Sequence, residues 1–484
     1  MLSPHSARIG PLSCGWLVIL VTIFTGQSLL SQTLETPVSG ALTGDQTFPS
    51  VGLSGNGGWV VWEDNFVDGK QGRGIAAVSL DSNLASSRSP IRINQQMLGD
   101  QEKPQVQILQ GGNALVVWAS RKGPFSGVVG RIIAPGGAYV TGDFVINTPA
   151  WVDSIKQTTN WTAHFRNKWK SKKFKFRDVI SHKREQVGRA SVVATADGGA
   201  LVAYQAVRSV ETNTWGLHED VRVSKGRFTT NTLIHPVRIG QSWMQDVFLQ
   251  KLDANGQKVG AETVVSQTTD FNQRSPSMTV LSDGSVLVAW VSESQGGAAN
   301  GNFRIDVVGR KFNAQGEPLG DEFLIGDGYE FVHANPVVVS AATGFMAFWS
   351  RQESAASRGW DVYGESFDLS GTAQGPAFRV NSYTRGNQFA PRVAVAGENV
   401  LVVWTSVDED GSREGVFGRF LSGGALAGDA FRLNDTTIGA QQQPAVAADA
   451  QGRFHTVWSS FVGDSGYDLF GKILIPENAG MPAP

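Results

Sequence analysis

A single motif recurs along most of this 484-residue chain. It consists of a strand led by proline, a tight turn, a strand ending in tryptophan, a strand containing glycine, a second turn and a short strand ending in asparagine. The strand that ends in tryptophan is plain in VVW at 60–62, LVVW at 115–118 and LVAW at 287–290. Repeated units of this size bury their apolar faces against one another, so the repeat constrains the fold more tightly than composition does.

Seven copies of the motif can be counted at two of its positions. The aromatic position is filled by Trp62, Trp118, Tyr204, Trp290, Trp349, Trp404 and Trp458. The leading position is filled by Pro49, Pro104, Ala190, Pro276, Pro336, Pro391 and Pro444. In the fourth copy, PSMTVLSDGSVLVAW (276–290) reads as a strand, an Asp-Gly turn and a second strand, and DVVGRKFNAQGEPLGDEFLI (306–325) as a second hairpin.

Four strands in about 50 residues is the period of a propeller blade. We therefore predict an all-β fold, a seven-bladed β-propeller of four-stranded blades whose cores start near 49, 104, 190, 276, 336, 391 and 444. The last copy ends after YDLFGKILIP (467–476), before a fourth strand. Since LETPVSGALTGDQTFPSV (34–51) aligns with AFRLNDTTIGAQQQPAV (430–446), an N-terminal strand is predicted to close the last blade. The propeller then spans 32–476 and leaves a tail at 477–484.

The first residues have the layout of a secretory signal peptide, predicted over 1–31. Arg8 precedes an apolar run from Trp16 to Thr25, which is too short for a membrane span and is followed by small and polar residues. We expect export to the periplasm, the cell surface or the medium, with no transmembrane span after the signal is removed. The mature chain would have no disulfide, because the one cysteine, Cys14, lies in the signal.

The repeat resembles those of bacterial secreted and cell-surface proteins, in which units such as DGSxVVVW are followed by DVxGxxFDxxGxxxGxEFxVN. Here the corresponding residues are DGSVLVAW (283–290) and DVVGRKFNAQGEPLGDEFLI (306–325). Such repeats often stand beside haemolysin-type calcium-binding modules, whose glycine-rich nonapeptides are absent from this sequence. The resemblance implies export and a propeller-like fold, and it implies no activity.

Two insertions, at 148–187 and 206–244, lengthen the intervals between successive aromatic positions on either side of Tyr204. Loops between blades and loops between second and third strands emerge on one face, so both insertions are predicted to lie there. Insertions gathered on one face of a repeat ring usually mark the interacting surface.

The first insertion contains WTAHFRNKWKSKKFKFRDVISHKR (161–184), and ten basic residues face two acidic ones between Trp161 and Arg189. Its aromatics suit a basic amphipathic helix, whereas FKF (174–176) equally suits a strand. The predicted ligand contacts are Arg166, Lys168, Trp169, Lys170, Lys172, Lys173, Lys175 and Arg177. The expected partner is an anionic polysaccharide, a lipid headgroup or an acidic protein, with nucleic acid less favoured because the whole chain has 41 basic and 43 acidic side chains. Alternatively, the aromatics pin the insertion to the propeller and the charges only solvate it.

Catalytic and metal sites are weaker alternatives. The second insertion contains WGLHEDVR (215–222), in which His218, Glu219 and Asp220 offer acid and base groups of the kind a glycosidase or lyase uses. Asp408 and Asp410, in DEDGSRE (408–414), offer oxygens of the kind calcium prefers, but a solvated acidic turn is the favoured interpretation.

Positions expected near the ring axis are mostly small or apolar, such as Gly52, Val193 and Ala394, and no arginine recurs in phase with the repeat. No polar catalytic funnel is therefore expected. The sequence favours an exported, non-catalytic binding or scaffold propeller without cofactors, which contacts an anionic ligand through the basic insertion. The alternative is a carbohydrate-active enzyme with its site in the blade 3 insertion.

Overall fold

The computed structural model describes residues 31–476, apart from 56, 70–71, 87–88, 122–126, 149–154, 164–171, 183–186, 208–209, 225–226, 242–244, 269–270, 296–302, 327–330 and 353–358. Within the two insertions it describes the backbone of four strands. The signal peptide and the tail predicted from the sequence lie outside the described residues.

The described residues form strands and one short 3₁₀ helix, Gly463–Ser465. The first ten strands are β1 (Ser31–Gln32), β2 (Thr36–Pro37), β3 (Gln46–Ser54), β4 (Gly57–Asp64), β5 (Gly74–Leu80), β6 (Ile91–Arg92), β7 (Gln101–Ile108), β8 (Ala114–Ser120), β9 (Gly127–Ile133) and β10 (Phe144–Val145). The next eight are β11 (Ile155–Ala163), β12 (Lys172–His182), β13 (Val187–Ala194), β14 (Ala200–Val207), β15 (Val210–Ser224), β16 (Arg227–Gln241), β17 (Gln245–Leu252) and β18 (Lys258–Val264).

The C-terminal half continues the same pattern of hairpins. Its strands are β19 (Gln273–Val280), β20 (Val286–Gln295), β21 (Phe303–Phe312), β22 (Phe323–Ile325), β23 (Val332–Ala341), β24 (Gly344–Gln352), β25 (Trp360–Asp368), β26 (Phe378–Arg379), β27 (Gln388–Ala396), β28 (Asn399–Val407), β29 (Glu414–Ser422), β30 (Ala425–Arg432), β31 (Gln441–Ala448), β32 (Phe454–Phe461) and β33 (Tyr467–Ile475). The all-β prediction is confirmed over the described residues.

Antiparallel four-stranded sheets follow one another along the chain. They are β3–β6, β7–β10, β13-β14-β17-β18 and β27–β30, with β19–β22 and β23–β26 linked into one larger sheet by a single parallel bridge between Ile305 and Val332. Strands β31 to β33 form a further sheet, to which β1 and β2 add by antiparallel pairing with β33.

The first strands of these sheets contact one another in sequence. β3 contacts β7, β7 contacts β13, and the series continues through β19, β23, β27 and β31, which contacts β3 again. Four-stranded sheets arranged around their first strands in this way form a β-propeller.

The seven residues at the aromatic position of the repeat, here called the aromatic column, lie between neighbouring sheets, as the repeat predicted. Each of its members is at most 1% exposed. Trp62, for example, packs with Val457 and Leu469 of the last sheet, and Trp458 packs with Leu401 and Val403 of the sheet before it. Burying aromatic side chains of this size contributes several kcal/mol at each contact between sheets.

Two smaller columns also have clear structural roles. The side-chain oxygens of Asn94, Asn147, Asn381 and Asn434 each accept a hydrogen bond from a third-strand backbone N–H at 2.7–2.8 Å. This agrees with the turn-capping role expected of asparagine. The glycine of the third strand pairs with a phenylalanine of the fourth, as Gly309 does with Phe323, whose ring would stand 3.0 Å from an added Cβ.

A β-bulge interrupts the first strand of each unit, at the residue before the leading position. In six strands this residue adopts the left-handed conformation with φ between 52° and 58°, and the six are Phe48, Lys103, Ser275, Asn335, Ala390 and Gln443. Proline follows each of the six, although proline disfavours an α conformation in the residue before it. The strain is sustained by the surrounding contacts.

Hydrogen bonds from the bulges link neighbouring sheets. The backbone N–H groups of Lys103, Ser275, Ala390 and Gln443 each donate to the side chain that follows the aromatic column in the preceding sheet. The acceptors are Glu63 at 2.6 Å, Gln205 at 2.6 Å, Ser350 at 3.0 Å and Thr405 at 3.3 Å.

The two insertions form one further sheet, in the order β11-β12-β15-β16. The helical interpretation of the first insertion is wrong over Lys172–His182, where the backbone is a strand paired with β11 and β15. Aromatic and β-branched residues in KKFKFRDVISH favour this outcome, since they suit a pleated surface.

We expect Ala390→Gly to raise the free energy of unfolding by about 0.5–1 kcal/mol. Glycine removes a left-handed strain of about 1–2 kcal/mol but loses more backbone entropy on folding. The matched control is Ala394→Gly in the same strand, which lacks positive φ and should destabilise the fold. Urea unfolding measures both, and equal destabilisation by the two changes would contradict the assignment of strain.

Candidate functional site

A cavity of about 520 Å³ follows the axis around which the first strands are arranged. Its walls come from β3, β7, β13, β19, β23, β27 and β31. A second cavity of about 330 Å³ shares part of this wall and is lined by the residues that begin the same strands. The two cavities share six residues, which are Pro49, Gln105, Arg189, Ser275, Asn335 and Arg392. We call the second cavity the axial mouth.

All six left-handed bulge residues line the axial mouth. In β13 the place of the leading proline is taken by Ala190, and the register shifts by one residue between Val187 and Ala190. Arg189 lies within this bulge. Arg392 follows Pro391 in β27, directly after the shift between Phe389 and Arg392.

Arg189 and Arg392 bring two positive charges to the axial mouth. Arg189 Nη2 donates to Gln105 Oε1 at 3.3 Å, and Arg392 Nη1 donates to the carbonyl oxygen of Pro391 at 2.8 Å. Among the residues the structure describes, no carboxylate forms an ion pair with either guanidinium. Burial lowers the pKa of Arg189 to about 10. Burial and the charge of Arg189 together lower the pKa of Arg392 well below its usual value.

Two arginines beside the Lys103 bulge, outside the lining of the mouth, are paired with carboxylates. Arg73 lies 3.2 Å from Glu63 and also contacts Glu102, while Arg121 Nε lies 2.5 Å from Glu102. Burial raises the pKa of Glu63, against the opposing effects of the Lys103 backbone N–H and of Arg73. Both oxygens of Glu63 are occupied by these donors, so this carboxylate supports the bulge at Lys103.

The insertion sheet starts beside the axial mouth. Val187, where the first insertion rejoins the ring, pairs with Ala206, where the second insertion begins. Arg189 follows Val187 by two residues, so the chain passes directly from the inserted sheet into the wall of the mouth.

The structure brings few of the sequence-predicted site residues together. Arg166, Lys168, Trp169 and Lys170 lie outside the described residues. Lys172, Lys173, Lys175 and Arg177 lie along β12, where the backbone alone is described. His218, Glu219 and Asp220 lie on β15 and pair with Leu233, Thr232 and Asn231 of β16.

Asp408 and Asp410 belong to the turn between β28 and β29. Asp410 accepts hydrogen bonds from the Ser412 backbone N–H at 3.2 Å and from Asn434 Nδ2 at 3.0 Å, and these bonds hold the turn in place. Within the part of the chain that the structure describes, no group of three or more His, Cys, Asp or Glu residues could hold a metal ion.

Arg189 and Arg392 were not predicted as site residues, because the small and apolar residues near the axis predicted no polar funnel there. Val193 and Val339 do line the cavity as expected, but the arginines occupy its open end. Their positions in the repeat could have indicated them, since Arg189 directly precedes the leading position of its strand and Arg392 directly follows the leading position of its own.

No family model matches the chain, and no curated protein matches it. Solved structures do. A protein of unknown function from Dyadobacter fermentans is 10% identical with a TM-score of 0.46, and the match covers 93% of this chain and 99% of that one. The polysaccharide lyase Uly1 is 10% identical with a TM-score of 0.47, covering 90% of each chain. An α-L-arabinanase from Penicillium chrysogenum is 8% identical with a TM-score of 0.41, covering 93% of this chain and 99% of that one.

At these identities the likeness concerns the fold. Enzymes that act on polysaccharides recur among the matched structures, so the prediction of a non-catalytic scaffold that acts through the basic insertion is wrong. The absence of a matching family model also leaves the resemblance to haemolysin-associated repeats without support. No helix among the described residues is long and apolar enough to cross a membrane.

We expect Arg392→Gln to raise the free energy of unfolding by on the order of 1 kcal/mol at low ionic strength, because it relieves one desolvated, repelled charge. Added salt should shrink this gain by screening the repulsion. The matched control is Arg274→Gln, since Arg274 lies 2.9 Å from Glu293 and loses a carboxylate partner. Urea unfolding at two salt concentrations measures both, and equal destabilisation by the two changes would refute the repulsion.

Proposed function

We propose that this protein is a carbohydrate-active enzyme, a glycosidase or a polysaccharide lyase, which binds its substrate at the axial mouth. The observation that carries the proposal is the convergence of two arginines, neither with a carboxylate partner among the described residues, on a cavity at one end of the ring axis that polar and apolar side chains line together. Concave sites with a few convergent polar groups and perturbed pKa values are the usual location of active sites.

The proposal includes a complete ring of seven blades over 32–476, with blade cores starting at the positions predicted from the sequence. Support comes from the cyclic contacts of the first strands and from the pairing of β1 and β2 with β33. Glu35 strengthens this closure, because its carboxylate accepts the backbone N–H groups of Asp435 at 2.6 Å and Thr436 at 2.9 Å.

The insertions at 148–187 and 206–244 would form one wall of the substrate groove. We assign acid and base roles to His218, Glu219 and Asp220 of β15. His218 is eight residues along the strand from Val210, or roughly 26 Å at the rise of an extended strand. That reach is sufficient to place these groups above the axial mouth.

Export belongs to the same proposal. A signal peptide over 1–31 would deliver the enzyme to the periplasm, the cell surface or the medium, where polysaccharides are found. A chain without disulfides then depends on the contacts between its blades for stability.

A chain that begins at Gly40 should unfold at a lower urea concentration than one that begins at Gln32. It loses β2, the hydrogen bond from the Val38 N–H to the Leu469 carbonyl oxygen at 2.8 Å and the burial of Val38, together about 2 kcal/mol or more. Identical unfolding midpoints for the two chains would argue against closure by the N-terminal strand.

Activity is tested by incubating the purified chain with neutral and acidic polysaccharides. A glycosidase releases reducing ends alone, whereas a lyase also creates a carbon–carbon double bond that absorbs ultraviolet light. Glu219→Gln or Asp220→Asn should lower turnover by about 10²–10⁴-fold, the usual contribution of general acid–base catalysis. The matched control is Glu211→Gln, near the start of the same strand, which should retain turnover.

Failure of the unmodified chain to cleave any glycan would overturn the enzymatic proposal. Full turnover by both carboxylate variants would show that Glu219 and Asp220 are not the acid and base. The catalytic groups would then have to lie in the axial mouth itself.

A further inference from the structure

Two guanidinium groups that have no acidic partner in the described part of the chain are an unusual feature in a cavity wall. Each offers five N–H donors, yet Arg189 donates to one side-chain oxygen and Arg392 to one carbonyl oxygen among the described residues. Most of their donors therefore remain available to a molecule in the axial mouth.

In the free protein, this arrangement of two arginines has an unfavourable electrostatic free energy. Removing a cation from water is unfavourable unless a counter-charge replaces the lost hydration, and a second cation nearby adds to the penalty. Desolvation lowers the pKa of Arg189, and desolvation together with the charge of Arg189 lowers the pKa of Arg392. An anion between the guanidinium groups would relieve both.

The ion pairs beside the Lys103 bulge provide an internal comparison. Where an arginine only supports the structure here, as Arg73 and Arg121 do, the chain supplies Glu63 and Glu102 as counter-charges. Arg189 and Arg392 come from β13 and β27, strands that are not neighbours in the ring, and meet only at the axis.

The rest of the mouth suits a hydroxylated ligand. Gln105, Ser275, Asn335 and Gln443 line it with amide and hydroxyl groups that can both donate and accept hydrogen bonds. Its volume of about 330 Å³ lies at the lower end of the range for small-molecule sites, which suits one or two sugar units.

We infer that the axial mouth binds an acidic sugar unit, with Arg189 and Arg392 holding the carboxylate of a uronate. The planar fork of a guanidinium matches a carboxylate through two parallel hydrogen bonds, which a neutral sugar cannot reproduce. This inference rests on the proposed function and narrows its substrates to acidic glycans. It differs from the rejected binding role of the basic insertion, because the contacts lie in the propeller itself.

The test is calorimetric titration with a three-unit oligogalacturonate and with its methyl ester, which has the same shape without the charges. The unmodified chain should bind the acid at least tenfold more tightly than the ester. Arg189→Gln and Arg392→Gln should each weaken binding of the acid by about 10–100-fold and leave binding of the ester unchanged, as expected for loss of one partner of a charge-assisted pair. A sulfated trisaccharide without carboxylates, in a parallel titration, distinguishes a sulfate site from a carboxylate site.

The control variant is Arg121→Gln, because Arg121 lies outside the lining of the mouth and already has Glu102 as a carboxylate partner. This variant should bind the acid like the unmodified chain. Unfolding curves establish that the variants are folded before they are titrated. Equal affinity for acid and ester, binding of neither, or acid binding that survives both substitutions would overturn the inference, as would a preference for the sulfated sugar.

These outcomes are separable from those of the activity assay. Cleavage of a neutral glycan without preference for the acid would leave the enzyme proposal intact and remove the acidic subsite. Selective binding of the acid with no cleavage of any glycan would support the acidic subsite and overturn the enzyme proposal.

Discussion

The contact between neighbouring sheets, an aromatic side chain buried against the next blade core, is the interaction on which the remaining structure depends. Four short strands cannot bury both of their faces alone, so each sheet is stable only beside another. The bulge N–H groups add a directional bond at the same boundary, from Lys103 to Glu63 and from Ala390 to Ser350. Apolar burial supplies most of the free energy, and the hydrogen bonds fix the register between sheets.

This dependence explains why the axial cavity stays open. The aromatic column keeps the sheets apart at a fixed spacing, and the first strands that face the axis carry small or β-branched residues such as Val193 and Val339. No large side chain is required there to hold the sheets together. The axis is therefore available to polar residues at the strand starts.

Much of the fold could be predicted from the sequence, because its signals are local and repeated. Asp-Gly turns, alternating apolar residues and the Trp62 and Asn94 columns each follow from one turn or one strand. The grouping of Arg189 with Arg392 could not be found in this way. Each arginine lies at a bulge, where one extra residue shifts the alternation of side chains between the two faces of the strand. Extending the regular alternation from the buried part of the strand therefore assigns the arginine to the wrong face.

The charge distribution along the sequence predicted the wrong binding surface for a related reason. Ten basic residues in one insertion form a contiguous signal in the sequence, whereas two arginines on distant strands form none. The run of basic residues therefore predicted a binding surface on the insertion, and nothing in the sequence predicted one at the axis. Composition gives the number of charges in a segment. How far each charge is desolvated, and so how far its pKa is shifted, depends on its surroundings in the fold.

The six left-handed bulge positions also bear on how such a ring could change over evolutionary time. They hold Phe48, Lys103, Ser275, Asn335, Ala390 and Gln443, six different residue types on one backbone conformation. The conformation is maintained, in spite of the proline that follows, by hydrogen bonds to the backbone, which do not involve the bulge side chain in Lys103 or Ala390. Substitutions at the rim can therefore accumulate independently of the core, and a ring of this kind could acquire new ligand preferences without first losing its stability.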